Sequence, residues 1–385
     1  MTQSNQISQD YPVIIIGGGL AGLVSALHLS KQNINVLLIE KNEYPRHKVC
    51  GEYISNEVLP YLKELGYDPF HFGAKDIKRL TLSSVSSKSI SVDLPLGGFG
   101  LSRYTMDATL AEEARSYGTR IIHDTVIDLK YENGTFSIAT NSNESYTTKL
   151  VIGAYGKRSN LDVKLSRPFL KRKSPYLAVK AHYSGEFPND IVSLHNFKGG
   201  YCGLSKVDTN HINVCYITDY KSFKAYKNID NFQREILSQN KHLKHAFENY
   251  KMVFEKPLTI SQVSFETKEA VENHMLMCGD SAGMIHPLAG NGMSMAIRSA
   301  QLASTMILRY LSGEIKSRSS LETEYQKAWK SEFQARLNAG HVIARLFRIQ
   351  FLAELMMDVV SIFPAILRII IRRTHGKPMI VNGCG

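Results

Sequence analysis

The run Val13-Ile14-Ile15-Ile16, followed at once by Gly17-Gly18-Gly19-Leu20-Ala21-Gly22, constrains this chain more than any other stretch. A short apolar run rich in β-branching reads as a buried parallel strand, the glycines force a sharp turn, and Leu20 to Leu29 continues as a helix. Gly17 permits the tight turn, Gly19 lets backbone N–H groups approach a pyrophosphate, and Gly22 lets the helix pack closely on the strand. Glu40 closes a second strand, Asn35 to Ile39, about 20 residues further on, where such units place the acid that binds a ribose hydroxyl. An acid there suits the free 2′-hydroxyl of FAD or NAD and disfavours the 2′-phosphate of NADP. The other reading of Tyr11 to Leu29 is a secretory apolar segment. Met1 to Asp10 has no basic residue and no small-residue cleavage site follows, which argues against it.

The chain has 385 residues, 43% of them hydrophobic, enough for a sizeable core in two domains or one large elaborated one. Its formal charge of +11 favours an anionic partner: a nicotinamide phosphate, an acidic membrane surface or nucleic acid. Nucleic acid is excluded as the expected partner, since no zinc-finger spacing and no aromatic RNA-binding signature is present. The five cysteines are scattered, odd in number and lack a CxxC, which fits a reducing, cytoplasmic setting.

Further along, Lys41 to Glu52 is a polar loop at the carboxyl ends of parallel strands, so Lys41, Arg46 and Lys48 are placed to touch phosphate or substrate, or to be solvated. Ile77 to Val92 reads as short strands and Leu101 to Tyr117 as a helix. Arg120 to Tyr131, Thr135 to Thr140 and Tyr146 to Ala154 read as strands, with Glu132-Asn133-Gly134 as a hairpin turn. Leu177 to Tyr183, Ile191 to Phe197, Tyr201 to Lys206 and His211 to Ile217 alternate like an antiparallel sheet. Asp230 to Tyr250 reads as a helix and Leu258 to Phe265 as a strand. Met275 to Cys278 then reads as a last parallel strand delivering Asp280. A helix follows from Asn291 to about Leu311, and Leu321 to Arg373 is helical with a break at Pro364. The expected architecture is α/β: a doubly wound, Rossmann-like dinucleotide domain in three pieces (1–75, 101–165, 269–315), an inserted antiparallel substrate sheet (76–100, 166–268), and C-terminal helices (316–385).

Three signals stand in order: Gly17-x-Gly19-x-x-Gly22 with Glu40, Gly153-x-x-Gly156-x-x-Ser159, and Gly279-Asp280 followed by Pro287 and Gly290-Asn291-Gly292. Over Tyr11 to Leu311 they resemble the FAD-dependent oxidoreductases of the para-hydroxybenzoate hydroxylase type, which include aromatic hydroxylases, flavin halogenases and geranylgeranyl reductases. Arg46-x-Lys48-x-Cys50-Gly51-Glu52 and Gly290-Asn291-Gly292-Met293 look most like the geranylgeranyl-reductase branch. The resemblance implies FAD as cofactor, with Glu40 on the adenosine ribose, Asp280 on a ribityl hydroxyl and Arg103 by the pyrophosphate or flavin. Pro287, Gly290, Asn291, Gly292 and Met293 would lie against the isoalloxazine, and Leu20, Ala21, Val126 and Gly156 complete the implied cofactor set. Tyr155 stands where the hydroxylases carry an aspartate, so NADPH or NADH as electron donor is left open. No Trp-x-Trp-x-Ile-Pro run is present, so halogenation is not expected.

For chemistry, His286 is a candidate acid or base beside Pro287, Cys50 a candidate active-site thiol, and Tyr201 a candidate substrate contact; each also fits a structural role. No cluster has metal-ligand spacing. The leading function is monooxygenation of a hydrophobic aromatic or polyketide-like compound. The alternative is reduction of isoprenoid double bonds, and a non-catalytic dinucleotide-binding regulator is the reading from another class. Val342 to Ile371, apolar but interrupted by charges, is expected to cover a hydrophobic substrate or to rest on the inner face of a membrane, not to span it.

Overall fold

The computed structural model describes residues 9–171, 174–226, 228–261, 263, 265, 266, 268–285, 290–348 and 350–379. Strand β1 (Gln9–Ile16) enters a first sheet, and helix α1 (Leu20–Lys31) returns the chain to β2 (Val36–Glu40), parallel to β1 with Val13 opposite Val36. Next come β3 (Tyr53–Ser55), α2 (Leu59–Glu64), β4 (Lys75–Ser83) and β5 (Ser89–Gly100), the three strands belonging to a second sheet. Helix α3 (Arg103–Ser116) leads back to β6 (Arg120–His123), parallel to β2. The meander β7 (Val126–Glu132), β8 (Thr135–Thr140) and β9 (Ser145–Gly153) follows, and β9 lies parallel to β1 on its other side.

After α4 (Asn160–Lys164) the second sheet takes up β10 (Tyr176–Ser184), β11 (Ile191–Phe197), β12 (Gly200–Lys206) and β13 (Ile212–Asp219). Helices α5 (Tyr220–Lys224), α6 (Ile229–Glu235) and α7 (Lys241–Asn249) cover it, and β14 (Lys251–Met252) and β15 (Leu258–Ser261) pair with β10. The chain then rejoins the first sheet through β16 (Val271–Glu272) and β17 (Met275–Met277), with β17 parallel to β9. Helices α8 (Gly292–Leu311), α9 (Arg318–Arg348), α10 (Gln350–Ile362) and α11 (Pro364–Thr374) complete the described chain. The first sheet runs β16-β17-β9-β1-β2-β6 and the second β14-β10-β13-β12-β11-β4-β5-β3.

The sequence pattern is corrected in four places. Arg120 to Tyr131 is two strands, because the Asp124 carboxylate accepts the N–H groups of Thr125 and Ser142 and turns the chain between β6 and β7. Asp230 to Tyr250 is not one helix: the Asn240 side chain caps α7 at His242 N while its amide donates to the carbonyls of Ser84 and Asn196, which breaks the run. The second sheet is mixed, since β11 pairs in parallel with β4. The expected strand from Leu258 ends at Ser261.

Two glycines fix the first turn. Gly17 has φ +102°, outside the ordinary range of residues bearing a Cβ, and a Cβ on Gly22 would stand 1.9 Å from the Gly17 carbonyl oxygen. α1 therefore lies against β1 backbone to backbone, and its other residues from Leu20 to Ser30, His28 excepted, are buried. Replacing Gly22 with Ala is expected to push helix from strand and lower stability by about 1–3 kcal/mol. Equilibrium denaturation measures this, and an unchanged midpoint would contradict the close approach.

Candidate active site

One cavity of about 730 Å³ runs from the glycine turn of the first sheet to the face of the second sheet beneath α10 and α11. Its first end is built for an anion. Gly19 caps α1 without a side-chain hydrogen bond, the first turn holds no acid, and Gly19, Leu20 and Ala21 all face the cavity. The leading N–H groups and the positive end of the helix dipole are thus open to a phosphate. A Cβ on Gly19 would meet nothing nearer than Arg103 Nη2 at 3.8 Å, so the space above the turn is unfilled by the chain itself.

Glu40, buried at the end of β2, accepts the Gly18 N–H at 2.7 Å through Oε2 and Arg46 Nη2 at 2.9 Å through Oε1. Burial opposes its ionisation, but hydrogen bonds from Asn42 and Gly18 and the charges of Lys48 and Arg46 hold it below the usual carboxylate range. Asp107 of α3 is fully buried. It receives Arg103 in a two-pronged pair at 2.7 and 2.8 Å and Lys48 at 2.7 Å. Against the opposing effect of burial, these two cations keep its carboxylate ionised and its pKa lowered. One carboxylate therefore carries two cations, leaving a net positive charge beside the turn.

The second end is formed by the N-terminus of α8. Among the described residues Asn291 makes no side-chain cap; its Nδ2 instead donates to Thr374 O at 3.0 Å and Glu57 Oε1 at 3.3 Å, and Gly292 and Met293 line the cavity. Asp280 and Gly156 line the cavity as well. Lys268 braces them from behind, donating to the carbonyls of Lys157 at 2.8 Å and Asp280 at 2.7 Å, and burial pulls its pKa down to about 8. Two open helix N-termini, a carboxylate at a strand end and paired cations fit the donor set that a flavin adenine dinucleotide requires.

Glu52 joins this site to the second sheet. Its fully buried carboxylate takes Lys180 Nζ at 2.6 Å, the Arg103 backbone N–H at 2.8 Å and His182 Nε2 at 2.7 Å. Cys50 precedes it with its Sγ 3.4 Å from Met293 Sδ, and Asn213 Nδ2 donates to the Cys50 and Gly51 carbonyls at 3.2 and 2.8 Å.

The cavity wall thus gathers Gly19, Leu20, Ala21, Glu40, Lys41, Arg46, Lys48, Cys50, Arg103, Gly156, Tyr201, Asp280, Gly290, Asn291, Gly292 and Met293. Gly17 and Gly22 shape the turn without lining the cavity, and Val126 is off its wall, packed in the core with 6% exposure. His286 and Pro287 lie outside the described residues. Tyr201 packs with Ala178, Ile217, Val263 and Met284, and burial raises its hydroxyl pKa far above the ordinary value. Sequence reasoning missed Lys180, His182, Lys268 and Tyr53. Beyond the flavin side the wall is aliphatic: Leu80, Leu82, Leu94 and Val192 below, Val360 and Leu367 above.

A family model described as FAD binding domain matches residues 10–330. The digeranylgeranylglycerophospholipid reductase of Methanococcus vannielii is 27% identical over 85% of this chain and 84% of its own length. Conditioned medium factor receptor 1 of Dictyostelium discoideum is 23% identical over 84% of the chain and 68% of its own length. The solved structure of the flavin-dependent brominase Bmp2 shares the fold with a TM-score of 0.77 at 18% identity, over 95% of this chain and 93% of that one.

Asp107→Asn is expected to destabilise the protein without FAD by about 3–5 kcal/mol, since it leaves two buried cations without their counter-charge. FAD should narrow that loss, because a diphosphate supplies negative charge at the same place. In the parent protein the contribution of Asp107 is fully present above the unfolded carboxylate pKa of about 3.9 and is lost as pH falls through the lowered folded value. Denaturant titrations with and without FAD, at neutral and acid pH, measure all three effects; an Asp107→Asn protein as stable as the parent without FAD would sink the account.

Proposed function

The chain belongs to the FAD binding domain family, and from that premise we propose that this FAD-dependent oxidoreductase reduces carbon–carbon double bonds of a long isoprenoid-like substrate. The observation that carries this reading is the continuity of one cavity from the open N-terminus of α8 into an aliphatic chamber roofed by α10 and α11. A hydrocarbon chain gains from burial there, at roughly 25 cal/mol for each Å² removed from water. The identity with a lipid reductase over most of both chains supports the same direction.

FAD, when bound, would supply two-electron transfer in a water-poor site. The residues of this chain would do the rest. Glu40 would hold the adenosine ribose, and the α1 N-terminus with Arg103 and Lys48 would hold the diphosphate. Asp280 would hold the ribityl chain, and the α8 N-terminus would stabilise negative charge at the ring edge. NADPH or NADH is the proposed source of electrons. Hydroxylation of a hydrophobic aromatic is the second reading, favoured by the Tyr53 and Tyr201 rings on the cavity wall, against which a flat substrate can stack.

The outer face of α10 and α11 supports delivery from a bilayer. Phe351 (74% exposed), Leu355, Ile362 (70%), Phe363 and Ile369 form an exposed apolar stripe, with Arg368, Arg372, Arg373 and Lys377 beside it. Among the described residues no helix is long and apolar enough to cross a membrane. The proposed contact is therefore peripheral, apolar residues in the interface and cations on anionic headgroups.

Two measurements test these proposals. FAD-loaded protein, reduced without oxygen and mixed with geranylgeranyl diphosphate, is expected to reoxidise its flavin while the probe gains hydrogen, and to oxidise slowly in air. Rapid oxidation by air with oxygen transferred to an aromatic probe would favour the hydroxylase, and protein that binds FAD without turnover would favour a regulator. Ile362→Asp with Phe363→Asp is expected to abolish co-sedimentation with phosphatidylserine vesicles, and equal sedimentation would exclude this face as the contact.

A further inference from the structure

Lys268 stands between β15 and β16, 7% exposed and off the cavity wall. Its Nζ donates to two carbonyls, Lys157 O at 2.8 Å and Asp280 O at 2.7 Å, and lies 4.3 Å from the centroid of the Phe169 ring. The two carbonyls come from different loops, and both Lys157 and Asp280 line the cavity. Each follows directly on a glycine with positive φ, Gly156 at +87° and Gly279 at +60°, where no Cβ limits how the chain rotates. Peptide groups at such positions need an outside partner to hold one orientation. A carbonyl drawn onto a cation off the wall is not presented to an anion in the cavity, which it would repel. The buried charge of Lys268 is met in turn by two carbonyl dipoles and an aromatic face.

We infer that Lys268 is a positioning residue of the FAD site: its ammonium turns the Lys157 and Asp280 carbonyls out of the cavity and fixes the two loops against each other around the bound cofactor. This rests on the placement of FAD proposed above. The same loops are also joined without Lys268. Ser281 Oγ accepts the Gly156 N–H at 2.7 Å and donates to Gly156 O at 3.2 Å, and Arg167 Nη1 donates to Ser281 O at 3.0 Å. The loops are therefore expected to survive the loss of Lys268, while the direction of their carbonyls is not. The charged and titratable groups around the ammonium are Asp280 and Lys157 on the two loops, Tyr155 next to Gly156, Asp162 of α4, Arg167 after it, and Glu272 of β16, which pairs with Arg167. Burial, with Arg167 and Lys157, lowers the Lys268 pKa to about 8 against the opposing pull of Asp280 and Asp162. An anion bound in the cavity favours the ammonium. Above about pH 8, FAD binding therefore takes up a proton; affinity, full below that pH, is lost as pH rises through it.

The test uses the full chain, stripped of FAD and titrated with FAD, followed by flavin fluorescence and by calorimetry in two buffers of different ionisation enthalpy. In the parent the dissociation constant is expected to rise by up to about tenfold per pH unit above about 8, the limit for one linked proton, with proton uptake seen as buffer-dependent heat. Lys268→Met, similar in length and uncharged, is expected to bind FAD about 10- to 100-fold more weakly at neutral pH, the worth of hydrogen bonds from a charged donor, and to show neither the pH dependence nor the uptake. Parent affinity in Lys268→Met overturns the proposal, and so does a weakened Lys268→Met that keeps the parent's pH dependence. If Lys268→Met does not fold, the parent decides alone: affinity flat across this range with no proton uptake overturns the proposal. Asp280→Ala in the same titration separates the cofactor placement from the role of Lys268, since unchanged affinity there overturns the placement and the proposal with it.

Discussion

The Glu52 carboxylate is the tie on which the arrangement of the two sheets depends. It sits on the loop that leaves the first sheet, yet its oxygens are claimed by Lys180 and His182 of β10 in the second sheet and by the first backbone N–H of α3. Its backbone is held at φ +54°, a left-handed conformation that a glutamate adopts at a cost, met here by a carboxylate fixed from three directions. Burial works against its charge, but Lys180 and His182 hold its pKa below the usual carboxylate range. Such a pair adds little net stability compared with a well-packed apolar core, while an unpartnered charge in the same place would be severe. What the tie provides is registration: Cys50 and Gly51 cannot shift without dragging β10 and α3 with them.

That registration explains how a single cavity can serve two layers. The dinucleotide end belongs to the first sheet, where backbone shape and helix dipoles do most of the work. The aliphatic end belongs to the second sheet and the tail helices, where apolar area does it. The loop from Lys48 to Glu52 stands at the seam, held by Asp107 on one side and by Asn213, Lys180 and His182 on the other.

The first half of this design was plain in the sequence because glycine spacing and parallel-strand composition are local signals. Gly17, Gly19, Gly22 and Glu40 occupy the turn and strand end that their spacing implied. The alternation from Leu177 to Tyr183 was legible too, but its meaning was not. Lys180 and His182 look like the watered face of a half-exposed strand, whereas both are buried. Period-two patterning tells which residues share a face, not what that face meets. Val126 was assigned by likeness alone, and its side chain went to the core. His375 gave no sign in the sequence of lining a cavity: its setting is created by Ile371, Tyr53 and the start of α8, which only the folded chain assembles.

The way α11 closes the site also sets an order of events during synthesis. The glycine turn, Glu40, Asp107 and the start of α8 are all translated before residue 312, whereas Thr374 and Gly376, which bind Asn291 and Glu57, emerge some sixty residues later. At the few to twenty residues per second of translation, that is an interval of seconds. The dinucleotide half is thus complete in sequence before the segment that closes over the start of α8 exists. Closure of the cavity by the tail can therefore only follow synthesis of the dinucleotide half.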